Sequence, residues 1–285
     1  MKPQLDNTVM SSYALWLDNF ICSKGEAISN VSSVFYPSNT IFKGPSGNFT
    51  TYALPYTQLV VDSSISGANI MTGVSVNNVL ISKNISGLHE IDYQNGRLYF
   101  SGSVGANVSG NFSIKDFNIY ITSKTEETLL IESKFQNKTK IPISPTGLVN
   151  NETVYPAIYL KFGKSENTPF AFGGQDETNY RLRGVILADS DFKLNSVQSL
   201  IRDTARRYVP KIENYEMPFN TMGGLVSGIN GFNYTGLAAT KDVSTSFFIK
   251  SASTNQFLGA INFPVPIYLG FFDTEICQYR YPRSL

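Results

Sequence analysis

The segment Ile91-Asp92-Tyr93-Gln94-Asn95-Gly96-Arg97-Leu98-Tyr99-Phe100 constrains the fold more than any other part of the chain. Asn-Gly between two alternating runs specifies a two-residue type I′ hairpin, because both central residues need positive φ. Tyr93 then faces Leu98 and Ile91 faces Phe100 on one apolar face. Asp92 with Tyr99 and Gln94 with Arg97 share the other, where Asp92 and Arg97 lie diagonally. A chain built around such a hairpin is committed to antiparallel sheet.

The flanking sequence repeats this character. Short runs at 51–62, 69–76, 79–82, 89–94, 97–102, 111–122 and 128–135 read as strands, punctuated by Gly, Asn and Ser every eight to twelve residues. That spacing predicts an antiparallel sandwich or barrel. Before it, Val9, Met10, Tyr13, Leu15, Trp16, Leu17, Phe20 and Ile21 follow a three-and-four spacing that predicts a helix. Asn7 or Thr8 is placed to cap its start and Gly25 to end it in a left-handed cap. This helix is apolar over more than one face, so either the domain or a neighbouring subunit buries it.

The Pro-, Gly- and Asn-bearing stretch 142–151 reads as a boundary. Beyond it, 154–162 and 180–188 read as strands, 168–174 as a bend, and 195–208 as a helix with the stripe Leu194, Val197, Leu200, Ile201, Ala205 and Tyr208, an Asp203–Arg207 pair, and Pro210 as its stop. Two further strands fall near 245–250 and 267–272, and 277–285 reads as an irregular arm. The expected class is therefore α+β and β-rich. It comprises an N-terminal helix or arm (1–25), a β-rich sandwich or barrel-like domain (26–145), an α+β domain (146–275) and a C-terminal tail (276–285).

Composition narrows the function. The formal net charge is +1, so no long-range field recruits a polyanion. Charged residues are 16% of the chain, against about 25% in an ordinary soluble domain, and Phe and Tyr are abundant; both suit surface that a partner covers. Residues 1–20 lack the layout of a signal peptide, and no run approaches a membrane span, so the expected setting is a cytoplasm and no membrane. Cys22 and Cys277 read as reduced thiols; the alternative is one disulfide joining the two ends. The eight Asn-X-Ser/Thr sequons, at Asn30, Asn48, Asn84, Asn107, Asn111, Asn137, Asn151 and Asn233, are what an Asn-, Ser- and Thr-rich chain produces by chance.

A search for chemistry finds little. His89 is the one histidine, and no zinc spacing, nucleophile elbow, phosphate loop or dinucleotide fingerprint occurs. Asp189-Ser190-Asp191 is a candidate for a hard cation but also suits a strand-to-helix turn. Glu126-Glu127 and Asp176-Glu177 are candidate acid pairs whose members point apart. The expectation is no catalysis, metal or cofactor. Arg181 and Arg183 share a strand face, and Arg202 and Arg206 share one side of the next helix, with Arg207 adjoining. Such a patch can pair with acidic residues of a neighbouring subunit, lie solvated, or touch DNA in a channel.

Two of these stretches resemble structural proteins of tailed bacteriophages. The hairpin Ile91–Phe100 resembles a strand-turn-strand of neck and head–tail connector subunits. Asn167-Thr168-Pro169-Phe170-Ala171-Phe172-Gly173-Gly174, with 180–188 and the helix after Asp191, resembles tail-terminator and neck proteins. The opening, Met1 to Gly25, is similar to the start of virion proteins of large contractile-tailed phages. The chain departs from small terminators by carrying a whole β-rich region before residue 146. The resemblance implies a homo-oligomeric ring, commonly a hexamer or dodecamer, assembled in the host cytoplasm into a virion and docked to neighbouring neck, tail or head proteins around channel DNA. Other virion parts (tail tube, baseplate, fibre attachment) and a carbohydrate-binding adhesive sandwich are the alternatives. The candidate interface residues are Trp16, Phe20, Tyr93, Arg97, Arg181, Arg183, Arg202, Arg206, Arg207, Arg280 and Arg283.

Overall fold

The computed structural model describes residues 5–44, 47–85, 87–102, 104, 107–136, 155–226, 231–257 and 267–281. It is α+β and β-rich, with curled sheets and an N-terminal helix. The expected boundary at 142–151 and residue Arg283 lie outside the described residues.

Helix α1 (Leu5–Lys24) is followed by strands β1 (Ile28–Gly44), β2 (Gly47–Ala53), β3 (Gly73–Val76), β4 (Val79–Ser82), β5 (Leu88–Asp92), β6 (Arg97–Phe100) and β7 (Val108–Lys115). These form one sheet in the order β4-β3-β7-β1-β2-β6-β5. The second sheet, in the order β11-β12-β13-β10-β9-β8, contains β8 (Asn118–Ile121), β9 (Ala157–Ala171), β10 (Gln175–Ala188), β11 (Tyr208–Val209), β12 (Phe247–Gln256) and β13 (Tyr268–Arg280). Helices α2 (Glu126–Gln136), α3 (Asp191–Arg202) and α4 (Tyr234–Ala239), with two short 3-10 helices at Asn214–Glu216 and Val243–Thr245, complete the described elements. Strand β8 and helix α2, both ahead of residue 146 in sequence, pack with the second sheet: β8 runs parallel to β9, and Leu129 of α2 shares a small core with Ala157, Val185, Leu187, Ile267 and Leu269.

The chain itself buries α1. Val9, Tyr13, Leu17 and Ile21 join a core that also holds Phe35 and Phe112 of the first sheet and Ile158, Tyr180, Phe247 and Ile276 of the second. An apolar surface on several helix faces is satisfied here because sheets approach from more than one side. Two polar groups that α1 brings into that core are matched. The Ser12 hydroxyl donates to the Ile212 carbonyl and accepts from the Ile212 N–H, and the Tyr13 hydroxyl lies 3.2 Å from that of Thr274.

Several expectations are corrected. Asn7 and Thr8 lie within α1, not at its cap. The left-handed residue at its end is Glu26 (φ 50), while Gly25 is required because a Cβ there would meet the Ile21 carbonyl at 2.8 Å and Leu200 at 2.9 Å. The run 128–135 is helical: Thr125 caps α2 through the Thr128 N–H, and Glu126 and Glu127 occupy the first turn, where the helix dipole favours them. The run 111–122 divides into β7 and β8, which lie in different sheets. In the 168–174 segment, β9 continues to Ala171 and only the hairpin tip bends. Helix α3 spans 191–202, so Arg206 and Arg207 lie beyond it, and Arg206 has φ 62. The tail is a strand as far as Arg280, because β13 pairs along its length with β10.

The predicted hairpin is present with a different register. Asp92 pairs with Arg97 and Ile91 with Leu98, so four residues, not two, make the turn. The cause is Asp92, whose carboxylate accepts from the N–H groups of Gln94 (3.1 Å) and Asn95 (3.0 Å), from the Asn95 amide (2.8 Å) and from the Tyr99 hydroxyl (2.9 Å). The slip is an even number of residues, so every side chain keeps its face. A two-residue turn with both residues at positive φ occurs instead at Asn77-Asn78 (φ 50 and 66), joining β3 to β4.

Candidate assembly surfaces

Among the described residues, α1, the 57–62 segment, β8, α2 and the 217–220 loop bound a cleft of about 970 Å³. Its walls are apolar at Leu59, Val61, Ile119, Leu129, Phe219 and Phe232, and Tyr120 stacks on Tyr159 with ring centroids 5.2 Å apart. The charged groups on these walls are occupied. Lys115 pairs with Asp18 at 2.6 Å and Lys124 with Glu132 at 2.7 Å. Asp62 accepts four hydrogen bonds, from the Asn19 amide, the N–H and hydroxyl of Ser64, and the Tyr234 N–H. Burial alone would lower the Lys115 pKa, but the Asp18 carboxylate holds it above the ordinary lysine value.

One wall carries an open sheet edge. The Gln58 side chain donates to the Ile119 carbonyl (2.8 Å) and accepts from the Ile119 N–H (3.0 Å), the two-point pattern an adjoining strand would make. Backbone groups of alternate residues point the same way along a strand. The exposed Ile121 therefore presents its N–H and C=O on the side Gln58 covers at Ile119.

A second feature is the far end of the β9–β10 hairpin. From Gly163 to Gly174 the chain is mostly exposed, and its tip carries Phe170 and a fully exposed Phe172. Gly174 (φ 78) closes the turn, its N–H bonded to the Ala171 carbonyl. Phe170 rests against Tyr279 at 4.5 Å, and Tyr281 is exposed nearby. From sequence this segment is a bend and resembles terminator proteins, with none of its residues among the candidate interface. Phe170 and Phe172 alternating beside Gly-Gly were the available signal of an apolar tip.

The residues singled out from sequence do not gather into one patch. Arg183 bonds Glu126 of α2 and Asp273 of β13, the latter at 3.1 Å. Arg181 is exposed on the same strand opposite Glu275 and Lys164. Arg202 donates to the Thr254 hydroxyl, and Arg207 donates to the Asp203 carbonyl and lies over the Phe20 ring at 5.0 Å. The Arg206 N–H donates to the Ile249 carbonyl. Arg280 holds β13 to β10 through the Thr178 hydroxyl, and Arg97 is half-buried opposite Asp92. Trp16 and Phe20 stack on each other inside the core, and Tyr93 is buried with its hydroxyl donating to the Met71 carbonyl at 2.6 Å. These three are consumed by their own chain and have little surface left for a partner.

His89 stacks on Phe49 at 4.5 Å. Around the Asp189–Asp191 turn, Ser190 caps α3, Lys193 pairs with Asp189, and Asp191 accepts from Asn195 and Gln256. Glu177 pairs with Lys250. Among the described residues no three His, Cys, Asp or Glu side chains are grouped to hold a metal ion.

Cys22 and Cys277 are free and buried. Burial pushes the Cys22 thiol up, reinforced by Asp18, and pushes Cys277 up to about 11. Raised thiol pKa values leave almost no thiolate near neutral pH, and thiolate is the reactive species. Ellman's reagent is therefore expected to read no fast-reacting thiol in the native protein and two after denaturation. A native thiol that reacts within seconds would contradict this burial.

Compared with protein-family models and with curated protein sequences, the chain matches no family and no curated sequence.

Proposed function

We propose that this chain is a structural subunit of a tailed-phage virion. Its place is a neck ring (connector, stopper or terminator), and it works by oligomerising and docking onto adjacent rings. The observation that carries the assembly part is the β9–β10 hairpin, which holds two exposed phenylalanines well clear of the core. Exposed aromatic surface of this kind is retained where a partner covers it. The neck position rests on the resemblance of 91–100 and 167–188 to neck and terminator subunits. Such a role needs no bond-making side chain. The same assembly logic serves a tail-tube, baseplate or fibre-attachment subunit. Against a sugar-binding surface stands the burial of Trp16, the one tryptophan.

The test is the mass of the purified protein by light scattering after size exclusion, with negative-stain imaging. A closed ring of fixed copy number is expected, and Phe170→Ser with Phe172→Ser is expected to lower the mass to that of the monomer. A wild-type chain that remains monomeric at high concentration, alone and with neighbouring virion proteins, would sink the proposal.

A further inference from the structure

We infer that the β9–β10 tip of one copy inserts into the cleft of the next copy, lying against the open edge of β8. This deepens the assembly reading above and rests on it.

Three observations fit the two surfaces together. The first is charge. Thr168 to Gly174 contains no charged residue, and the cleft offers none unpaired: its lysines are in ion pairs and Asp62 is saturated with hydrogen bonds. A charged insert would enter without a counter-charge, whereas a neutral aromatic tip displaces water from Tyr120, Tyr159 and Ile121 at no ionic cost.

The second is the edge. Gln58 already occupies the Ile119 position of β8 as an amide in place of a strand. The next backbone pair, at Ile121, lies beside the cleft and suits the main chain of an incoming hairpin, as in strand addition. The β9 arm leading into the tip is extended backbone as far as Ala171 and carries the apolar Phe170 and Ala171, which matches an edge bordered by an apolar hollow.

The third is geometry. Leu160 pairs with Ile121, and from Leu160 the strand runs out to Ala171 over about 36 Å at roughly 3.3 Å per residue. Tip and cleft therefore sit at opposite ends of β9, and one molecule cannot fill its own cleft. A contact between two different surfaces is heterologous, and its repetition gives a closed ring where the rotation between copies divides a full turn.

Disulfide trapping between two separately purified variants, Phe172→Cys and Ile121→Cys, tests this. Both positions are exposed, so both variants are expected to fold, and the native thiols are buried and silent. On mild oxidation, the mixture is expected to yield a covalent dimer that neither variant forms alone. An oligomer by light scattering without that mixed dimer, or dimerisation of Phe172→Cys alone through a tip-to-tip contact, would overturn the inference and leave the assembly reading standing. Absence of any oligomer would overturn both.

Discussion

Gly223→Ala is expected to destabilise the protein by about 3–5 kcal/mol, a large part of the roughly 5–15 kcal/mol typical of a domain. Gly223 sits at φ 79, where a Cβ is strained, and that Cβ would overlap the Asp92 carboxylate. Asp92 cannot give way, because it is nearly inaccessible to solvent and holds four donors of the turn. The loop carrying Gly223 is fastened to the same hairpin at other points. Its carbonyl accepts from the Tyr93 N–H at 3.1 Å, Asn220 donates to Glu90 at 2.9 Å, and a Cβ on Gly224 would overlap the Glu90 carboxylate. Moving the loop therefore exposes two buried carboxylates' partners together. Urea unfolding followed by circular dichroism measures the loss. Thr221→Ala, at an exposed position of the same loop, is expected to stay within about 0.5 kcal/mol. Equal midpoints for Gly223→Ala and wild type would show that the loop does not lock the hairpin.

Gly184→Ala is expected to cost about 1–3 kcal/mol through overpacking. Gly184 lies in the middle of β10 directly across from Phe272 of β13, and the Phe272 ring covers the space a Cβ would take. The ring is fully buried in the core shared with α1, so it has nowhere to turn. Phe272→Leu is expected to be destabilising by itself, since it leaves a cavity. In the Gly184→Ala background the same change is expected to recover stability, giving a coupling above about 1 kcal/mol in a double-mutant cycle. Additive losses would mean that the ring moves freely and that the glycine is there for another reason.

Asp92 was placed on the correct face of the hairpin, but its use as the turn's acceptor depends on the buried setting that the 217–225 loop creates, from more than a hundred residues away. Gly184 sat inside a run read correctly as strand, with nothing local to mark the ring across from it. The cleft was invisible because its walls come from stretches far apart in sequence: α1, the 57–62 segment, the β8–α2 segment and the 217–220 loop. The hairpin tip was legible as residues and not as a projection, because projection depends on how far the sheet core extends beneath it. The arginines formed a patch only on the assumption of one long helix; α3 ends at Arg202, and Arg183 meets acids from two other elements.

Local covalent geometry settled what could be read directly. Side chains alternate along a strand whatever its partner, so the grouping of Ile91, Leu98 and Phe100 on one apolar face of the hairpin follows from sequence and survives the slip of register. The three-and-four spacing of α1 likewise marked it as a helix with more apolar surface than one face can use. Choices between states of similar local energy were left to packing. A short apolar run at 129–135 suits strand or helix until β8, β9 and β13 supply the surface beneath it. The Ser- and Asn-rich stretch that becomes β1 has little apolar pattern and is ordered by strands on both sides. Whether α1 faced its own core or a partner was decided by two sheets closing on it, a matter of long-range contacts that no window of sequence contains.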